Sequence, residues 1–167
     1  MSLVAELTTA GLTVAAAESL TGGAVCVELT RIPGSSRVFL GGVIAYSVSA
    51  KEQVLGVDPA LLSRTGPVHP DVARAMAAGV ARLMGADMGV STTGVAGPEP
   101  HGGHEPGDAF VGWWTAQRSG ALAVRIPGSR DAIVAGVTAV AVALVRQLAT
   151  SGAPDPPTLG SGVVACS

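Results

Sequence analysis

Residues 12–23, Leu-Thr-Val-Ala-Ala-Ala-Glu-Ser-Leu-Thr-Gly-Gly, join an apolar run to a polar turn and a glycine pair. The run 12–17 follows Gly11 and is typical of a buried strand in a parallel sheet. The glycine pair favours a sharp turn into a helix, whose first N–H groups lack partners within the helix and attract negative charge. This order places Ser19 at the carboxyl edge of a sheet, a position that suits a nucleophile. The residue types equally allow Ser19 or Thr21 to cap the helix.

Signals for helices and strands alternate along the rest of the chain. The last two predicted strands are separated only by residues 117–120 and are expected to pair as an antiparallel hairpin. The elements together predict an α/β fold, a three-layer α/β/α sandwich with a mixed, mostly parallel five-stranded sheet and one antiparallel strand. The predicted helices are 2–10, 21–31, a brief one capped by Ser49, 58–63, one from Pro70 onward, and 129–149; the strands are 12–17, 41–47, 87–93, 108–116 and 121–126.

Length and composition indicate a single domain. The chain has 167 residues, 48% of them apolar and only 3% aromatic, so the core must be built from Ala, Val, Leu and Ile. We assign the domain to residues 1–150. The remaining stretch, 151–167, opens with Ser-Gly-Ala-Pro-Asp-Pro-Pro and has no periodicity, so we expect a flexible C-terminal tail.

Charge and composition argue against several classes of protein. The net charge is −2 and the ten Lys and Arg residues are scattered, so no nucleic-acid partner is expected. No apolar run approaches the roughly 20 residues of a bilayer span, and residues 1–6 lack a signal pattern, so we expect a soluble cytoplasmic protein with no membrane partner. Cys26 and Cys166 form neither a disulfide framework nor a metal motif. His101 and His104 are three apart in a loop without a third ligand, so no metal is expected.

Three segments taken together resemble the CinA C-terminal domain family. They are the turn at 17–23, the stretch 33–51 with its Pro-Gly-Ser-Ser, Gly-Gly-Val-Ile-Ala-Tyr-Ser and final Lys, and Thr-Gly-Val-Ala-Gly-Pro at 93–98. Their order and spacing are specific, and the match runs from about Leu3 to Ala149. Full-length members of the family carry an additional N-terminal domain resembling molybdopterin-binding proteins. Nothing here corresponds to it, so we expect a stand-alone domain.

The resemblance implies hydrolysis of the carboxamide of nicotinamide mononucleotide to nicotinic acid mononucleotide and ammonia, without a metal or cofactor, by a homo-oligomer. Amide hydrolysis needs a nucleophile with a base, donors for the oxyanion and an acid for the leaving ammonia. Ser19 would be the nucleophile. Lys51 would be the base, provided that its pKa falls from the usual ~10.4. Tyr46 could relay a proton or donate it to ammonia.

The expected substrate contacts lie around this Ser-Tyr-Lys set. The backbone N–H groups of Gly22 and Gly23 are expected to receive the oxyanion. Arg130, at the start of the last helix, is placed by the resemblance to contact the substrate and could bind its phosphate bidentately. The other expected contacts are Thr21, Ser35, Thr93 and Gly94.

Simpler interpretations of these residues remain open. Lys51 could be an ordinary solvated lysine, Tyr46 a strand-edge side chain with its hydroxyl in water, and Arg130 the partner of Asp131 in a surface ion pair. The loop 99–108 also departs from the small glycine-rich loop that is common in the family. An alternative function is therefore a catalytically degenerate nucleotide-binding or interaction module; hydrolysis of another amide is a third. The physiological pathway, pyridine nucleotide salvage or a role in competence or DNA damage, also stays open.

Overall fold

Helices and strands alternate along the chain in a computed structural model that describes residues 1–151 and 164–165. The helices are α1 (Leu3–Ala10), α2 (Ala24–Thr30), α3 (Val48–Gln53), α4 (Pro59–Thr65), α5 (Pro70–Met84) and α6 (Arg130–Ser151), with a short 3-10 helix at Ser35–Arg37. The strands are β1 (Val14–Glu18), β2 (Phe39–Ile44), β3 (Met88–Gly94), β4 (Asp108–Thr115), β5 (Ser119–Arg125) and β6 (Val164–Ala165).

The strands form one mixed sheet in the order β2-β1-β3-β4-β5-β6. Strands β2, β1 and β3 are parallel, β4 pairs antiparallel with β3, and β5 pairs antiparallel with β4. Among the five long strands only β4 therefore runs against the others, which confirms the predicted fold class. The two-residue β6 adds to the free edge of β5 and lies within the predicted tail. The rest of that tail, 152–163 and 166–167, lies outside the described residues.

Helices cover both faces of the sheet and give the predicted three layers. Helices α1, α2 and α6 enclose one core with the sheet, and α4 and α5 enclose the other. The packing is close because the contacting residues are small. A Cβ placed at Gly89 or Gly112 would strike the backbone of α5 at Ala77 and Ala73, so these glycines let α5 lie directly on the sheet. All five residues of β1 are buried, as expected for a central parallel strand.

Two helix starts bear on the site. Helix α3 begins two residues earlier than predicted, because Ser47 rather than Ser49 is its cap and accepts a hydrogen bond from Ala50 N–H at 3.1 Å. Helix α5 is capped by His69, whose Nδ1 accepts from Asp71 N–H at 3.2 Å. A neutral imidazole nitrogen can therefore take the place of the usual cap oxygen.

Helix α6 corrects one prediction made from the sequence. Residues Arg130–Thr150 are long and apolar enough, by length and composition, to cross a membrane, whereas we expected no segment of that kind. In the structure this helix packs against the sheet and against α1 and α2, and it buries Ile133, Val137 and Leu144. It therefore serves as a core helix of this α/β domain.

Candidate functional site

Ser19 and Lys51 meet at the carboxyl edge of the sheet. Ser19 directly follows β1, and its N–H donates to Thr92 O at 3.0 Å, which continues the pairing of β1 with β3. Lys51 lies in α3, and its Nζ is 2.9 Å from Ser19 Oγ and 2.8 Å from Ala45 O. The sequence separation of 32 residues is bridged by the fold, because β1 and β2 are parallel neighbours that end side by side.

Burial changes the acid-base properties of Lys51. Only 1% of the residue is exposed, and this burial lowers the pKa of its amine from 10.5 to about 8. At pH 7 roughly a tenth of the amine is then neutral, compared with less than about a thousandth at the ordinary pKa. A neutral Nζ at 2.9 Å can accept the hydroxyl proton of Ser19, which is the arrangement that activates a serine nucleophile. The interpretation of Lys51 as a solvated surface lysine is therefore wrong.

The N-terminus of α2 is occupied by a carboxylate of the chain itself. Glu18 is completely buried, and its Oε2 accepts from Thr21 Oγ1 at 2.6 Å, Gly23 N–H at 2.9 Å and Val25 N–H at 3.1 Å. Its Oε1 accepts from Cys26 N–H at 2.8 Å. The anion that the helix terminus was expected to attract is thus Glu18.

This arrangement changes the expected oxyanion donors. Gly23 N–H and the Thr21 hydroxyl are bonded to the Glu18 carboxylate, and Gly22 N–H donates to Ser19 O at 3.1 Å. The predicted substrate contacts Thr21, Gly22 and Gly23 therefore stabilise the turn internally and do not line the site cavity. Leu20 does line that cavity, and its N–H has no acceptor among residues 1–151 and 164–165.

A cavity of about 420 Å³ opens above Ser19 and Lys51. Its wall comes from the turn after β1, from the start of α3, from the loop before α5, from the end of β3 with the loop that follows, and from the start of α6. Six of the ten predicted site residues line it, namely Ser19, Tyr46, Lys51, Thr93, Gly94 and Arg130.

Tyr46 and Arg130 bond to each other at the rim of this cavity. Arg130 Nη2 donates to Tyr46 Oη at 2.9 Å, and its Nη1 donates to Gly97 O at 2.6 Å. Tyr46 is 60% exposed, and its hydroxyl is bonded to Arg130 rather than to Ser19 or Lys51. The guanidinium has five N–H donors, so it retains donors for an anion in the cavity.

The remaining predicted contacts have different positions. Thr93 is buried, and its hydroxyl donates to Pro67 O at 2.8 Å, which ties two walls of the cavity together. Ser35 lies before β2, at the amino end of the sheet and opposite the site. Its hydroxyl is 3.4 Å from Thr30 O, and Ser35 does not line the cavity, so this cavity gives the predicted contact of Ser35 with the substrate no support.

Three cavity residues carry polar groups to which the sequence assigned no role, namely Ser47, Glu99 and His101. Glu99 and His101 follow β3 in the loop 99–108, which we expected at the site only because loops at strand ends often build sites. Glu99 and His101 do not form a recognisable sequence motif. The one feature that could have indicated their place at the site is that they follow the carboxyl end of a central strand.

Neither a cysteine nucleophile nor a metal centre is supported by the described residues. Burial, with the Glu18 carboxylate beside it, raises the pKa of the Cys26 thiol well above its usual range, so the nucleophilic thiolate is disfavoured. Within residues 1–151 and 164–165, no three His, Cys, Asp or Glu side chains are grouped as a metal ion requires.

Comparisons with known proteins agree on one family. The model of the CinA C-terminal domain matches residues 1–149. A putative competence-damage inducible protein of Bacillus velezensis is 43% identical over 136 residues, covering 79% of this chain and 33% of that protein. A CinA-like protein of Mycobacterium tuberculosis is 43% identical over 157 residues, covering 93% of this chain and 36% of that protein. The chain thus spans about a third of the length of these curated relatives.

Solved structures show the same similarity. A competence-damaged protein (CinA) superfamily protein from Klebsiella pneumoniae superposes with a TM-score of 0.85 at 27% identity, covering 88% of this chain and 92% of that one. A competence/damage inducible protein from Agrobacterium tumefaciens gives a TM-score of 0.83 at 30% identity, covering 87% and 90%.

Proposed function

Because this chain belongs to the CinA C-terminal domain family, we propose that it is an amidohydrolase that converts nicotinamide mononucleotide to nicotinic acid mononucleotide and ammonia. The observation that carries the proposal is the 2.9 Å contact between Lys51 Nζ and Ser19 Oγ inside a cavity at the carboxyl edge of the sheet. A buried amine with a lowered pKa beside a serine hydroxyl is a nucleophile and base pair.

The chemistry proceeds in two steps. In the first, Ser19 Oγ attacks the carboxamide carbon while Lys51 Nζ takes its proton. Lys51 then returns that proton to the amide nitrogen, the C–N bond breaks, and ammonia leaves an ester on Ser19. In the second step Lys51 takes a proton from water, the hydroxide attacks the ester carbon, and the proton returns to Ser19 Oγ as the carboxylic acid departs.

The negative charge on the carbonyl oxygen requires a donor at the nucleophile. Leu20 N–H supports this role, because it belongs to the residue after Ser19, lines the cavity and has no acceptor in the described part of the chain. Removal of one such donor typically costs 10²–10³ in rate. The neighbouring N–H groups of the turn are not available to bind the oxyanion, because they already donate to the Glu18 carboxylate.

The phosphate of the substrate is assigned to Arg130. Its guanidinium lies at the cavity rim and is held by Gly97 O and Tyr46 Oη, with donors to spare for a second acceptor. Tyr46 is then a rim residue that orients Arg130 and contacts the substrate, and proton transfer runs between Ser19 and Lys51.

Ammonia release from purified protein tests the function. The protein is incubated with nicotinamide mononucleotide, and ammonia and nicotinic acid mononucleotide are quantified together. Ser19→Ala is expected to abolish both products, whereas Ser36→Ala, an exposed serine outside the cavity, should leave them unchanged. Full activity in Ser19→Ala contradicts the assignment of the nucleophile. Tight nucleotide binding without ammonia release identifies a binding module instead.

A further inference from the structure

Glu99 provides the only carboxylate among the described residues that line the cavity. The basic side chains in the same wall are those of Lys51, His101 and Arg130. In the part of the chain that the structure describes, no hydrogen bond or ion pair engages the Glu99 carboxylate. An exposed carboxylate at the rim of a catalytic cavity is free to receive a cation.

The backbone holds Glu99 close to Arg130. Two residues before it, Gly97 O accepts the 2.6 Å hydrogen bond from Arg130 Nη1. Two residues after it, His101 and His104 exchange two backbone hydrogen bonds of 3.0 Å. The Cα atoms of Gly97 and Glu99 are at most about 7 Å apart. Glu99 and Arg130 line the same cavity, and no ion pair joins them.

We propose that Glu99 recognises the positively charged ring of the substrate. This inference rests on the proposed function and adds to it a residue that distinguishes a cationic pyridinium ring from a neutral ring. The ring nitrogen of nicotinamide mononucleotide bears the ribose and is therefore cationic, while the phosphate is anionic. Arg130 supplies the complement to the phosphate and Glu99 the complement to the ring, so the cavity matches a zwitterion.

Binding to an inactive protein tests this assignment separately from catalysis. In the Ser19→Ala background, calorimetry measures the Kd of nicotinamide mononucleotide and of its 1,4-dihydro form, which has the same phosphate but a neutral ring. Addition of Glu99→Gln is expected to weaken binding of the cationic form by roughly 3- to 10-fold and to leave the neutral form within about twofold. The loss of affinity that Glu99→Gln causes for the cationic form should become smaller as salt is added, because salt screens the interaction between the two charges.

Glu105→Gln is the matched control, because Glu105 is exposed in the same loop but does not line the cavity. It should change neither Kd. Equal weakening of both nucleotides by Glu99→Gln, no weakening of either, or no measurable binding of either nucleotide overturns the proposal. A third result separates the two proposals. If Glu99→Gln weakens binding of the cationic nucleotide alone, while the protein with Ser19 intact releases no ammonia, the role of Glu99 is supported and the amidohydrolase function is refuted.

Discussion

Replacement of Lys51 by methionine should change how the stability of the protein depends on pH. The folded chain holds this amine at a pKa of about 8, whereas the pKa in the unfolded chain is near 10.5. Between these two values the unfolded chain binds a proton that the folded chain does not, so the free energy of unfolding rises with pH. The lowered pKa of Lys51 therefore adds about 3 kcal/mol to the free energy of unfolding as the pH rises from 8 to 10.5. A methionine of similar length has no such contribution.

Urea denaturation of the parent and of Lys51→Met measures this contribution directly. The difference in unfolding free energy, parent minus variant, should rise by about 3 kcal/mol between about pH 7 and about pH 11. Other titrating groups are common to both proteins and cancel. The lost hydrogen bonds to Ser19 Oγ and Ala45 O add about 1–2 kcal/mol to the parent at every pH, which shifts the difference without changing its slope.

A spectroscopic readout can refute the reasoning independently of stability. Lys51 is the only lysine of the chain, so the side-chain NMR signal of selectively labelled lysine reports its titration without assignment. A midpoint near the ordinary value of 10.5 would show that the amine remains charged at neutral pH and cannot act as the base. A stability difference that stays flat within about 0.5 kcal/mol across the window would lead to the same conclusion.

Four further outcomes are expected. The kcat/KM for nicotinamide mononucleotide should rise with pH through about 8, the pKa of Lys51, because only the neutral amine accepts the proton of the nucleophile; a pH-independent rate would remove Lys51 from that role. Ser19→Ala should lower kcat by at least about 10³-fold with an unchanged circular dichroism spectrum. Arg130→Ala should lower kcat/KM for the nucleotide by about 10- to 100-fold, mostly through KM, and leave hydrolysis of unphosphorylated nicotinamide unaffected; equal losses on both substrates would contradict phosphate binding. Glu18→Ala should destabilise the domain by about 3 kcal/mol in urea denaturation, since buried donors of α2 lose their acceptor.

Local patterns predicted the elements that position Ser19. The apolar run before Ser19 and the glycine pair after it predicted a buried strand and a turn into a helix, and the structure has both. Lys51 could be placed near Ser19 because parallel neighbouring strands end at the same edge of a sheet. Its burial could not be predicted, because it depends on tertiary contacts that the local sequence pattern does not contain.

The sequence could not show that a buried side chain takes up the backbone N–H groups that follow Ser19. Glu18 reads as the last residue of a strand, and nothing local indicates that its carboxylate turns under α2 to take the N–H groups of Gly23 and its neighbours. Ser35 lies away from the cavity because a residue before a parallel strand is at the opposite edge of the sheet from a residue after it. The expected homo-oligomer stays a prediction.

The buried lysine also governs how the protein reacts with amine-directed reagents. The chain contains a single lysine, and that lysine is 1% exposed, so acylating agents find no side-chain amine at its surface. Acylation of Lys51 would therefore report an opening of the cavity that it lines.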